Sequence, residues 1–196
     1  MYQWRIDLRL RGEDPTLQEV QSWKFHARQS LLRKWRGRLA QPRAGSCTVE
    51  AIRPVFENWM DRAHGSLTFR LVQVLSGHGC FGKYLCHIAR REPTTECHHC
   101  GCCEDTAQHT LQVCPAWANE RRELVAAVGH DLSLPAMIKS MLESDRSWRE
   151  VVSFCEHVMS QKEAAERERE ATTLLPIRRR RAGRRRRHYH ALLQPP

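Results

Sequence analysis

The chain contains no apolar run approaching the roughly 20 consecutive residues that a bilayer span requires. Its first residues, MYQWRIDLRLRGEDP, contain no apolar core of a secretory signal. Both absences lead to the expectation of an intracellular protein whose thiols stay reduced. Acid is missing altogether between residues 171 and 196, and no Asp-Asp pair occurs anywhere. Chemistry that depends on paired carboxylates holding two metal ions therefore lacks its usual cradle. A cysteine count of nine is also odd, so a disulfide framework would leave a thiol over, and metal binding becomes the better use of so many cysteines.

What is present is unevenly distributed. The formal net charge of +10 divides into +6 over residues 1–46, −4 over 47–170 and +8 over 171–196. The basic character thus lies at the ends. With 196 residues, 41% of them hydrophobic, the chain can form one modest core or two small units. We expect three regions: a basic helical segment at 1–46, a helical domain at 47–170, and a disordered arginine-rich tail at 171–196.

Apolar spacing supports a mainly α fold. Between Asp14 and Leu39, Leu17, Val20, Trp23, Leu31, Leu32, Trp35 and Leu39 recur at helical intervals, and Lys24, Arg28, Arg33, Lys34, Arg36 and Arg38 occupy the other face. QPRAGS then reads as a loop. Thr48 is the expected cap of the next helix, Pro54 delays its regular part, and Gly65 stops it. A short helix follows between Ser66 and Gly77, then another over residues 81–89. Pro115 opens a helix that runs to Val128 and stops at Gly129. Ser133 opens one more. A last helix, from about Ser147, buries Trp148, Val151, Val152, Cys155, Val158 and Met159, and its QKEAAERERE end is expected to be a solvated extension.

Residues 97–114 hold the densest chemistry. Zinc takes four soft or borderline ligands in a tetrahedron, and a Cys-x2-Cys turn presents two thiolates from one tight loop. Cys97 and Cys100 have that spacing, and His109 and Cys114 can return a second pair, giving Cys97-x2-Cys100-x8-His109-x4-Cys114. His98, His99, Cys102 and Cys103 are competing donors within the same stretch. Four protein ligands would leave no open position, so a structural rather than catalytic zinc is expected. A zinc-knuckle-like loop at 97–114 would then be the centre of the helical domain. Cys80, Cys86, His78 and His87 form a looser group that reads as core thiols and a helix-end histidine, while Cys47 and Cys155 read as small hydrophobes. A redox Cys-x2-Cys pair is a weaker reading, because the motif sits in a loop with further donors downstream.

The segments "LVQVLSGHGCFGKYLCHIARREPTTECHHC", "EDTAQHTLQVCPAW", "DLSLPAMI" and "VVSFCEHVMSQKEAAERERE" resemble the C-terminal region of insect non-LTR retrotransposon polyproteins of the ribosomal-DNA-inserting and jockey-like kind. The resemblance covers about residues 48–170, and KWRGRLA at 34–40 resembles a tryptophan-containing segment of the same family. In that family the region follows the reverse transcriptase domain and carries a Cys-x2-Cys-x7-8-His-x4-Cys motif. The resemblance maps the motif onto Cys97, Cys100, His109 and Cys114, and implies a zinc segment that assists nucleic-acid handling. Cys102 and Cys103 depart from the family, whose inter-ligand loop is polar and acidic. The polymerase and endonuclease active sites have no counterpart here, so no enzyme activity is expected.

The leading expectation is a zinc-dependent nucleic-acid-binding module. Arg178, Arg179, Arg180, Arg181, Arg184, Arg185, Arg186, Arg187, Lys34, Arg36 and Arg38 would neutralise phosphates of RNA or DNA. Trp117, Phe81 or Tyr84 could stack on unpaired bases. The arginine run also fits a nuclear or nucleolar address. The alternative expectation is a structural zinc module that docks on a reverse transcriptase domain or another protein. Neither a membrane nor a small-molecule substrate is expected as a partner.

Overall fold

The computed structural model describes residues 15–42 and 44–174. Among them, all regular structure is helical, and no strand occurs. No described helix is long and apolar enough to cross a membrane. The chain gathers into two compact units that divide after Arg62.

The first unit begins with helix α1 (Leu17–Leu39). Thr16 caps it through a reciprocal box: the Thr16 side chain accepts from the Glu19 amide, and the Glu19 carboxylate accepts from the Thr16 amide. Helix α2 (Ser46–Ile52) starts two residues before the expected Thr48, because Gly45 takes a left-handed conformation and turns the chain directly into the helix. A 3-10 turn at Arg53–Val55 accommodates Pro54, and α3 (Phe56–Asp61) ends well before Gly65. Two exposed ion pairs, Arg28 with Asp61 and Arg36 with Glu57, join α1 to α3. These links explain why the segment after residue 46 belongs with α1.

In the second unit, α4 (Phe69–Ser76) is capped by Thr68 rather than Ser66 and ends at a left-handed Gly77. Then come α5 (Gly82–His87), α6 (Ala107–Gln112), a 3-10 turn at Pro115–Trp117 that continues into α7 (Ala118–Val128), and α8 (Leu134–Glu143). The longest helix, α9 (Asp145–Thr172), is capped by Ser144 and packs against α4, α7 and α8. Leu71, Leu124, Met137, Ile138, Met141, Val151, Val158 and Met159 make the core. Val152 is only half-buried.

The C-terminal half of α9 is not the solvated extension that its composition suggests. Lys162 and Glu166 are buried, and Glu163, Glu166, Arg169 and Glu170 pair with residues far away in the chain, while Arg167 and Glu168 stay exposed. Arg70 bridges Glu156 and Glu163; Arg91 bridges Glu166 and Glu170; Arg169 faces Glu92. Long charged side chains bury their aliphatic stems while their heads pair, so a stretch without an apolar face can still pack. The helix also runs to Thr172, past the expected start of the tail. Residues 175–196, and with them the disorder expected of the tail, lie outside the described residues.

Candidate metal centre

The loop between α5 and α6 is shaped by its own backbone. The Cys97 amide donates to the Cys102 carbonyl at 2.8 Å, the Gly101 amide donates to the Cys97 carbonyl at 2.7 Å, and the Asp105 amide donates to the Thr95 carbonyl at 2.7 Å. This closes a tight turn with Cys97 and Cys100 at its two ends. Thr106 then caps α6 by accepting from the His109 amide at 2.9 Å, which sets His109 on the first turn of that helix. Cys114 follows just before Pro115.

The ligand atoms of Cys97, Cys100, His109 and Cys114 all lie within 4.8 Å of one another, and together they could hold a metal ion. Cys97 Sγ and Cys114 Sγ are 4.0 Å apart, and Cys100 Sγ is 3.3 Å from His109 Nε2. With metal–sulfur bonds of about 2.3 Å and metal–nitrogen bonds of about 2.0 Å, a tetrahedron has edges of roughly 3.5 to 3.8 Å. The observed separations bracket those edges. At 4.0 Å the sulfurs of Cys97 and Cys114 are well beyond the roughly 2.05 Å of a disulfide.

Burial governs the protonation of the group. Cys97 and Cys114 are fully buried. Burial pushes the Cys97 thiol up to about 12 and raises that of Cys114 as well. Burial lowers the pKa of His109, which keeps its imidazole neutral and able to donate a lone pair. A thiol raised in this way is the opposite of the acidic, exposed thiol of a redox pair. Three sulfurs, one imidazole and no carboxylate favour a soft or borderline metal over magnesium or calcium.

The other donors of this stretch point elsewhere. His98 Nε2 is 3.5 Å from a carboxylate oxygen of Glu92. The His99 ring packs on Trp117, with centroids 4.9 Å apart, and burial lowers its pKa to about 4. Cys102 is half-buried and Cys103 exposed; their carbonyls serve the loop by accepting from Cys97 and from the Thr95 hydroxyl. Cys80, Cys86, His78 and His87 do not converge: among the described residues the one candidate group is the four-residue set above. The His78 ring lies against Tyr84, and Cys155 is buried as expected. Cys47 is exposed, so it is not the core residue the sequence suggests.

No protein-family model, curated protein or solved structure matches this chain.

Three residues that the spacing argument did not single out brace the loop. Lys162 of α9 places Nζ 3.0 and 2.9 Å from the two carboxylate oxygens of Asp105, with Lys162 only 1% exposed. The same carboxylate accepts from the Gly82 amide at 3.0 Å, so Asp105 ties together the loop, α5 and α9. Arg121 of α7 donates to the carbonyls of Leu111, Thr110 and Cys114 at 2.7, 3.2 and 2.6 Å, which fixes the approach of Cys114. An acid just before a capping threonine was a legible signal for Asp105 and Thr106. Lys162 and Arg121 carried none, since each acts only through packing of distant elements.

The expected nucleic-acid contacts divide in two. Lys34, Arg36 and Arg38 are exposed on α1, although Arg36 is paired with Glu57. Arg178, Arg179, Arg180, Arg181, Arg184, Arg185, Arg186 and Arg187 lie outside the described residues. Of the expected stacking aromatics, Phe81 is 1% and Trp117 3% exposed; both are core side chains with no face open to a base. Tyr84 is half-buried against His78.

Proposed function

We propose that this chain is a zinc-folded nucleic-acid-binding module of the kind that follows the reverse transcriptase domain in non-LTR retrotransposon polyproteins. The observation that carries the reading is the convergence of Cys97, Cys100, His109 and Cys114, three thiols and one imidazole whose ligand atoms all lie within 4.8 Å of one another. Those four residues would hold zinc, which when bound supplies a four-point cross-link and leaves no position for a substrate. The metal therefore folds the loop, and phosphates are bound by side chains elsewhere.

The charge distribution supports that division of labour. The middle of the chain is net acidic, whereas the ends carry +6 and +8. Each phosphate neutralised by Arg or Lys releases counterions, so affinity should fall steeply as salt rises. The arginine-rich end also fits a nuclear or nucleolar address. In this reading the chain binds and positions RNA or DNA and performs no catalysis.

The test is binding of the full chain to fluorescently labelled RNA and DNA across a salt series, beside a chain lacking residues 171–196 and a metal-stripped chain. Deletion of the tail should weaken binding more than metal removal and flatten the salt dependence. Unchanged affinity after the deletion would contradict the assignment of phosphate binding to the tail. Absence of any salt-sensitive binding by the full chain would favour a zinc module that docks on a reverse transcriptase domain instead.

A further inference from the structure

Base stacking was expected beside the metal loop, yet the aromatics there are buried in the core. Exposed aromatic surface occurs instead at Phe69 of α4, which is 74% exposed, and on α1, where it lies among basic residues. Trp35 is 41% exposed and Phe25 59% exposed, on a helix whose six basic residues face a single acid, Glu19. Helical spacing sorts these side chains. Lys24, Arg28, Leu31, Trp35 and Arg38 follow one another at intervals of four, three, four and three, which places them along one stripe. The neighbouring stripe carries the buried Leu32 and the Arg36 that pairs with Glu57 of α3, and Arg28, at the edge of the first stripe, pairs with Asp61 of the same helix.

Along the first stripe Leu31 and Trp35 remain open to solvent, and Lys24 and Arg38 make no ion pair among the described residues. From Lys24 to Arg38 the stripe is about 21 Å long at 1.5 Å per residue, the length of roughly six stacked nucleotides at about 3.4 Å each. A flat apolar ring between cations suits an unpaired base flanked by phosphates. It does not suit a duplex, whose bases are already stacked on one another.

We infer that α1 is the single-strand-binding surface of the chain: Trp35 stacks on an unpaired base of RNA or DNA while Lys24 and Arg38 contact the adjoining phosphates. This rests on the nucleic-acid-binding reading above and specifies its substrate as single-stranded.

The experiment compares binding of the full, metal-replete chain to a single-stranded oligonucleotide and to a blunt duplex of equal length. The variants are Trp35→Ala, Trp35→Phe and Arg38→Ala, with retained helicity checked by circular dichroism. Trp35→Ala should weaken single-strand binding about 5- to 150-fold and duplex binding little, and Trp35→Phe should restore much of the loss. Arg38→Ala should weaken both and reduce the salt slope by about one. Equal loss on single strand and duplex with Trp35→Ala, or none on either, overturns the inference while leaving the wider reading intact. A change in self-association or protein capture without a change in oligonucleotide binding assigns the stripe to a protein partner and overturns it as well. No nucleic-acid binding by the unaltered chain removes both readings together.

Discussion

Lys162→Met removes the ammonium that meets Asp105 while keeping the length of the buried stem. The Asp105 carboxylate, 3% exposed, then retains only the Gly82 amide at 3.0 Å and the Thr110 hydroxyl at 3.4 Å. Breaking a buried pair by removing one partner costs about 3–5 kcal/mol, because the remaining charge is left uncompensated. The two surviving donors stabilise the carboxylate in part, which puts the expected loss near the lower end, about 3 kcal/mol. Urea titration of the metal-replete chain, followed by circular dichroism, should show the midpoint lowered by roughly 1–3 M with an unchanged slope. The double variant Asp105→Leu with Lys162→Met should cost less than the sum of the two single changes, since it leaves no lone charge buried. A loss below about 0.5 kcal/mol for Lys162→Met would refute the view that this pair anchors the metal loop to α9.

Other consequences follow from local contacts. A Cβ added at Gly82 would lie 2.6 Å from the Thr95 carbonyl oxygen and 2.7 Å from that of Glu96. Gly82→Ala should therefore destabilise by about 1–3 kcal/mol in the same titration, and a neutral effect would mean that α5 can shift freely off the loop. Arg121→Met removes the donor to three carbonyls around Cys114, so chelator competition should strip its metal at lower chelator concentration than the parent, with Arg121→Lys intermediate; equal retention would show that these bonds do not position Cys114. Hydrogen bonds from Thr68 and then Arg70 hold Glu156 below the ordinary glutamate value of 4.5. Its contribution is present above that value and is lost as pH falls through its lower, folded pKa, so Glu156→Gln should flatten the loss of stability below pH 4.5. Identical acid profiles for the two proteins would contradict it.

Helix placement was legible wherever a local signal acted alone. Gly77 and Gly129 stop α4 and α7, and Pro115 opens a turn, because backbone chemistry fixes those positions. The four candidate ligands were legible because metal coordination imposes its own spacing. Competition from His98, His99, Cys102 and Cys103 was resolved only by the loop's backbone bonds, by Glu92, which faces His98, and by Trp117, which packs on His99. The QKEAAERERE segment misled because composition describes what a side chain is, whereas its partners, Arg91, Glu92 and Asp105, lie more than fifty residues away. Similarly, the apolar periodicity of α1 reported a helix correctly, yet only Leu32 of that set is buried. Periodicity shows which side chains share a face, and nothing in it shows what covers that face.

The central claim is that Cys97, Cys100, His109 and Cys114 bind zinc and that their neighbours do not. Metal content of the purified chain, measured beside Cys100→Ser, Cys102→Ser and His109→Ala, tests it most directly. The account predicts a single zinc in the parent and in Cys102→Ser, with zinc lost or readily stripped from Cys100→Ser and His109→Ala. Zinc lost from Cys102→Ser but kept by Cys100→Ser would contradict it.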